Sequence, residues 1–204
     1  MNDRLTGRRE LLLHVLPACS LCLGFSRLAS VAAAAQKSQP LSFAKRAAEK
    51  TDMSYEDLFK FSYGSLIPVL KNLSDQIGKD KFIEMLKKAA SEAGLQNMAA
   101  TLKNQPKRDL ATLLADLRTP SPLYRHALTF EIIKDTDKEA EFRVTECLWA
   151  KTFRQANAAD TGYATMCNPD IVNLKAYNPK ITLNRTKLLM EGNNECRFRY
   201  TMGT

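Results

Sequence analysis

The chain has 204 residues, 45% of them hydrophobic and 25% charged, which provides for a real core and excludes global disorder. Its formal charge is +8. That charge gathers into no Lys/Arg block and no basic stripe interleaved with aromatics, so no nucleic-acid partner is expected.

The N-terminus reads as an export signal. A polar, basic start with Arg8-Arg9 gives way to the apolar "ELLLHVLPACSLCLGF" and closes on "SVAAAAQ", with an Ala-x-Ala cleavage site near Ala33 to Ala35. The paired arginines before Glu10-Leu11-Leu12 resemble a twin-arginine signal, although Gly7 stands where Ser or Thr is usual. The apolar stretch holds His14 and Pro17 and is short for a membrane span. Once it is cleaved, no membrane contact is expected and the protein is periplasmic or secreted; retention as an anchor, or acylation of Cys19, is the competing reading. Residues 1–35 are thus assigned to the signal, 36–51 to a polar linker and 52–204 to a single domain. Removing the signal removes Cys19 and Cys22, and with them their Cys-x-x-Cys spacing. The mature part keeps Cys147, Cys167 and Cys196, an odd set, and one histidine, His126, which excludes the catalytic zinc sets that need two or three.

Three amphipathic helices are expected next. In "SYEDLFKFSYGSLIPVLKNLSDQIG", Tyr55, Leu58, Phe59, Ser62, Leu66, Leu70, Leu73 and Ile77 recur three or four apart, with Ser54 as N-cap, Asp57 completing a capping pattern and Pro68 expected to kink the helix. "DKFIEMLKKAASEAGLQNMAATL" repeats the period through Phe82, Ile83, Leu86, Ala90 and Leu95, and "RDLATLLADLR" through Leu110, Leu113, Leu114 and Leu117. After the break "TPSP" the period becomes two. "HALTFEII" and "AEFRVTECLWA" flank "KDTDKE" as a hairpin, with Cys147 sharing a face with Arg143, Thr145 and Trp149. "RTKLLM" and "ECRFRYTM" flank "EGNN" as a second hairpin with Gly192 at its turn. The segment between them reads as helical. The fold class is therefore α+β: N-terminal helices packed on an antiparallel sheet of two hairpins separated by a helical crossover.

Chemistry centres on "ATMCNPDIVNL". Asn168 is a good N-cap, Pro169 suits the first helical position and Asp170 the first turn. Cys167 is then expected just outside a helix N-terminus, where the dipole favours a thiolate, with Asp170 opposing it. Two readings stand side by side at this point: a small packed residue with a charge that supports the first turn, or a reactive thiol with a carboxylate as base or metal ligand.

The stretch from "ECLWAKTF" to "CRFRYT" resembles the L-2-amino-thiazoline-4-carboxylic acid hydrolase family over about residues 128–201. The shared features are a cysteine ending a strand (Cys147), a Cys-x-x-Asp in the crossover (Cys167 and Asp170), a segment ending in Arg185-Thr186, and a closing hairpin with Gly192, Cys196 and Phe198. Asn193 and Arg197 stand where the family carries aspartates. The resemblance implies a hydrolase that opens a cyclic amidine or amide in a small carboxylated, amino-acid-derived ring. It implies Cys167 and Asp170 as catalytic groups, Arg185 as a bidentate anchor for the substrate carboxylate, and Cys147 and Cys196 as lining. The alternative is a non-enzymatic periplasmic module that holds a metal, a cofactor or a small acid through the Cys/Asp cluster, His126 included; a disulfide between two of the cysteines is a further one. A small-molecule substrate is the expected partner. The sequence names no cofactor and no oligomeric state.

Overall fold

The computed structural model describes residues 52–203; the export signal and linker expected over 1–51 lie outside the described residues. Ser54 opens helix α1 (Tyr55–Ile77): its hydroxyl accepts from the Asp57 amide at 3.1 Å and donates to the Asp57 carboxylate at 2.6 Å, the expected reciprocal cap. The helix runs on through Pro68. Helix α2 (Lys79–Leu102) follows, and α3 (Leu110–Arg118) starts at Asp109, whose carboxylate accepts from the Thr112 amide at 2.8 Å. After the break at 119–121 the chain makes one further short helix, α4 (Pro122–Ala127), where a strand starting at His126 was expected. Pro122 at the first helical position fixes φ for a helix and needs no amide partner.

Strands β1 (Leu128–Asp135) and β2 (Glu139–Cys147) form the first hairpin. The crossover consists of α5 (Leu148–Gln155), the single turn α6 (Ala159–Gly162), a π-helical segment Tyr163–Cys167 and α7 (Pro169–Tyr177). Strands β3 (Ile181–Lys187) and β4 (Cys196–Met202) complete an all-antiparallel sheet of order β1-β2-β4-β3. The chain is α+β, with helices first and the two hairpins separated by the helical crossover.

Alternation along β2 sets the two faces of the sheet. Ala140, Phe142 and Val144 are buried, and they lie opposite Tyr200, Phe198 and Cys196 of β4. The Phe142 ring stacks on Phe198 at 4.8 Å and on Tyr200 at 5.4 Å. With Leu110 and Leu114 of α3 and Leu174 and Tyr177 of α7, these residues form one core. Each fully buried side chain of this size contributes about 1.5–3 kcal/mol. The outer face alternates in charge: Arg197 binds Glu195 at 2.8 Å and Glu141 at 3.1 Å, and Arg199 binds Glu141 at 2.9 Å.

A second core lies between α1 and α5. Phe59, Ile67, Trp149, Phe153 and Met190 fill it, and the Trp149 indole donates to the Tyr63 hydroxyl at 2.9 Å. Trp149 therefore does not continue β2 as the alternation implied. The chain turns helical at Leu148, which lets Trp149, Ala150 and Phe153 face the α1 core together. Leu188 and Met190 depart similarly from the second expected strand: the chain leaves β3 after Lys187 and makes a 3-10 turn, Leu189–Glu191, that buries both. Gly192 closes that turn at φ 97°, a left-handed conformation that glycine adopts without cost. Cys147, Leu128, Tyr163 and Leu189 pack against both cores.

Candidate active site

Five separate elements deliver the five expected residues to one place. Cys147 ends β2, and its Sγ accepts from the Ala150 amide at 3.4 Å, capping α5. Cys196 starts β4 on the inner face, and its Sγ accepts from the Leu189 amide at 3.1 Å. Cys167 ends the π-helical segment and Asp170 lies in the first turn of α7. All three cysteines are free thiols.

The junction at Cys167 differs from the expected helix start. Asn168 is helical at φ −62°, ψ −40°, and its amide donates to the Tyr163 carbonyl at 2.8 Å, so the π segment runs straight into α7. Its side chain reaches Ser91 of α2 at 3.1 Å and makes no cap. The helix-terminus argument for a thiolate at Cys167 therefore does not hold, because the amides that would stabilise it are already inside a helix. Burial first, then the Asp170 charge, pushes the Cys167 thiol up to about 12. Burial likewise raises Cys196 to about 11 and raises Cys147. At neutral pH the cluster holds protonated thiols.

Asp170 is the group poised near neutrality. Desolvation lifts its carboxyl to about 6, against the opposing pull of Arg185. Its charge in turn raises Cys147, Cys167, Cys196, Tyr124 and Tyr200, so it faces the whole cluster. Its side chain remains 42% exposed.

Arg185 reaches the cluster through a bulge. It lies opposite Phe198 on the inner face, and Thr186 is an extra residue that lets Lys187 pair with Arg197 on the outer face. One guanidinium nitrogen donates to the Cys167 carbonyl at 2.6 Å and approaches Asp170 at 3.4 Å; the other donates to the Tyr163 hydroxyl at 3.3 Å. The side chain is 6% exposed, so it holds the π segment, Asp170 and Tyr163 together. Tyr163 thus belongs to the site; its ring also lies under Lys87 at 5.6 Å.

Arg197 projects to the outer face while Cys196 points inward, so its salt bridges to Glu141 and Glu195 explain its charge. The charges that Cys196 senses are Asp170 and Arg185. Asn193 serves the turn after Gly192, donating from its side chain to the Leu188 carbonyl at 3.1 Å.

Beside the cluster lies a cleft of about 400 Å³, lined by His126, Thr129, Thr145, Glu146, Cys147, Lys151, Arg154 and Leu189 among others. Of the five expected site residues, Cys147 alone lines it; Cys167, Asp170, Arg185 and Cys196 do not. Lys151 and Arg154 follow Cys147 by four and seven residues, one face of α5, a signal readable in the sequence only once the helix is known to start at Leu148. Among the described residues no group of three or more His, Cys, Asp or Glu side chains is arranged to hold a metal ion.

No curated protein matches the chain. Among solved structures its fold is similar to the phenol-responsive sensory domain of the transcription activator PoxR with phenol, at 11% identity over 75% of this chain and 76% of that one, with a TM-score of 0.45. It is also similar to a trafficking protein particle complex subunit 3 from Naegleria fowleri covalently bound to palmitic acid, at 13% identity over 74% and 95% of the two chains, with a TM-score of 0.43. A family model matches residues 59–200, from α1 into β4, a span that includes the N-terminal helices as well as Cys147, Cys167, Asp170, Arg185 and Cys196. With well over half its length matched, the chain belongs to the L-2-amino-thiazoline-4-carboxylic acid hydrolase family.

Proposed function

We propose that the protein hydrolyses a small carboxylated cyclic amidine or amide, of which 2-amino-thiazoline-4-carboxylate is the type, with Asp170 as general base. The observation that carries this reading is the Asp170 carboxyl near 6, partly open and facing three thiols. A base poised close to ambient pH accepts a proton from the attacking group and is still ionised at rest. Cys167 beside it is the candidate nucleophile. Burial holds the Cys167 thiol far above the Asp170 carboxyl in proton affinity, so sulfur attacks only in concert with its loss of the proton. Attack at the ring carbon between the two heteroatoms, with a proton delivered to the departing nitrogen or sulfur, opens the ring; where sulfur attacks, a water then adds to the same carbon, the carbon–sulfur bond to Cys167 breaks, and the thiol regains its proton as the product leaves. Arg185 positions the base; its donors are engaged internally, so the carboxylate anchor expected of it is sought elsewhere. We place the reaction in the periplasm, on the strength of Arg8-Arg9 and the Ala33 to Ala35 stretch.

The test is turnover of 2-amino-2-thiazoline-4-carboxylate by the wild type, Asp170→Asn and Cys167→Ala. Asp170→Asn is expected to lose about 10²- to 10⁴-fold. A comparable loss in Cys167→Ala identifies sulfur as the nucleophile, whereas near-wild-type activity identifies water. Binding without turnover by the wild type would overturn the hydrolase reading in favour of a small-acid binding module.

A further inference from the structure

We infer that the cleft beside Cys147 is the seat of the substrate, and that Arg154 and Glu146 are its charge anchors, Arg154 for a carboxylate and Glu146 for an amidinium. The inference rests on the hydrolase reading for the ring it names, and on the geometry of the cleft for the rest.

A zwitterionic ring needs one cation and one anion with free bonding capacity. The cations near the cluster are mostly engaged. Arg185 is 6% exposed and binds the Cys167 carbonyl, Asp170 and Tyr163. Lys151 forms an ion pair with Glu56 at 2.7 Å, and the His126 ring stacks on Tyr55 at 4.1 Å. Arg154 is different: it is exposed, and among the described residues its one side-chain hydrogen bond runs from one guanidinium nitrogen to the Leu189 carbonyl at 3.2 Å. That contact orients the side chain on the cleft wall and leaves the other terminal nitrogen for a ligand, the planar geometry that suits a carboxylate. The anions divide the same way. Glu56 is matched by Lys60 and Lys151, whereas among the described residues Glu146 holds only the Thr129 hydroxyl at 2.5 Å. Arg154 and Glu146 form no ion pair with each other among the described residues. The cleft therefore presents one unmatched charge of each sign within about 400 Å³, a volume suited to a single ring. A ligand seated there meets Cys147, which packs against both cores and is the one cluster residue lining the cleft; Cys167 and Asp170 do not line it, so the seat is one of recognition beside the catalytic pair and not in contact with it.

Three probes separate the charges: 2-amino-2-thiazoline-4-carboxylate carries both, 2-oxothiazolidine-4-carboxylate only the anion, and 2-amino-2-thiazoline only the cation. Calorimetric Kd values are measured on the Asp170→Asn background to suppress turnover. Arg154→Gln is expected to weaken both carboxylates about tenfold to a hundredfold and Glu146→Gln to weaken both amidines by a similar factor, each variant sparing the probe that lacks its charge; Arg154→Lys recovers part of the carboxylate affinity. A merely structural role would weaken every probe alike, and that result, no loss at all, or no binding of any probe overturns the inference. The two readings fail separately. Charge-selective binding with no wild-type turnover sinks the hydrolase reading and leaves the seat standing, while turnover with Kd values indifferent to both substitutions sinks the seat alone.

Discussion

Asp170 and Cys167 are three residues apart, yet their environments push them to opposite ends of usefulness at neutral pH. Desolvation raises both, but a carboxyl raised from 3.8 to about 6 remains ionisable, while a thiol raised from 9.0 to about 12 does not ionise. We expect kcat/KM to rise with pH through a group near 6 and then level off, since the base form of Asp170 is the active one; a wild-type profile flat from pH 5 to 8 contradicts the assignment. The same shift bears on stability. The folded-state value lies above the ordinary one, so this group's stabilising contribution is present below about pH 4 and is lost as pH rises through about 6. For Cys167, a thiol that burial pushes up to about 12 predicts roughly a thousandfold less thiolate than in the unfolded chain. Ellman's reagent should accordingly titrate the native thiols slowly and the denatured ones at the ordinary rate. Fast native reaction at Cys167 would mean that the π segment opens.

At the scale of elements, the crossover is held by a close approach. Gly162 ends α6, and a Cβ there would lie 2.7 Å from both the Met190 Sδ and the Phe153 Cγ. In an open helix Gly→Ala is favourable by about 1 kcal/mol; here overpacking reverses the sign, at about 1–3 kcal/mol. Gly162→Ala is therefore expected to lower Tm, and because Tyr163 follows directly, to lower activity with it. A Tm at or above wild type would show that Met190 moves aside freely. Thr186 does comparable work in β3. Arg185 and Lys187 are two apart and would share a face in a regular strand; the extra residue turns Lys187 out to Glu195 and leaves Arg185 inside.

Over the whole molecule, two cores meet at Cys147, Leu128, Tyr163 and Leu189, and the site lies along that seam. Leu114 of α3 is fully buried against the sheet, whereas Leu73 of α1 is 40% exposed. In urea unfolding, Leu114→Ala is expected to cost about 2–5 kcal/mol and Leu73→Ala no more than about 0.5 kcal/mol. Equal costs would show that α1 buries its outer stripe against something. The sheet's outer face carries Glu141, Glu195, Arg197 and Arg199 in mutual pairs; Glu195 is buried and Glu141 half-buried, and salt screens such pairs much less than exposed ones, so stability should respond little to added salt.

The sequence alone determined what depends on neighbours along the chain. Ser54 with its capping partner Asp57, the apolar period of α1 to α3, the alternation of β2 and β4, and the turn at Gly192 were all legible, and together they specify an α+β chain. The grouping of Cys147, Cys167, Asp170, Arg185 and Cys196 was legible only through the family resemblance, since no local spacing joins them. Tertiary packing decided the rest. The Trp149 side chain is buried against Phe59 and Tyr63, which ends β2 at Cys147 and creates the α5 face with Lys151 and Arg154. The Asn168 contact with Ser91 and the Arg185 bond to the Cys167 carbonyl draw the crossover into a π segment in place of a capped helix start. Partners 77 and 18 residues away make those choices, and a carboxyl or thiol acquires its proton affinity only from the surroundings that such contacts assemble.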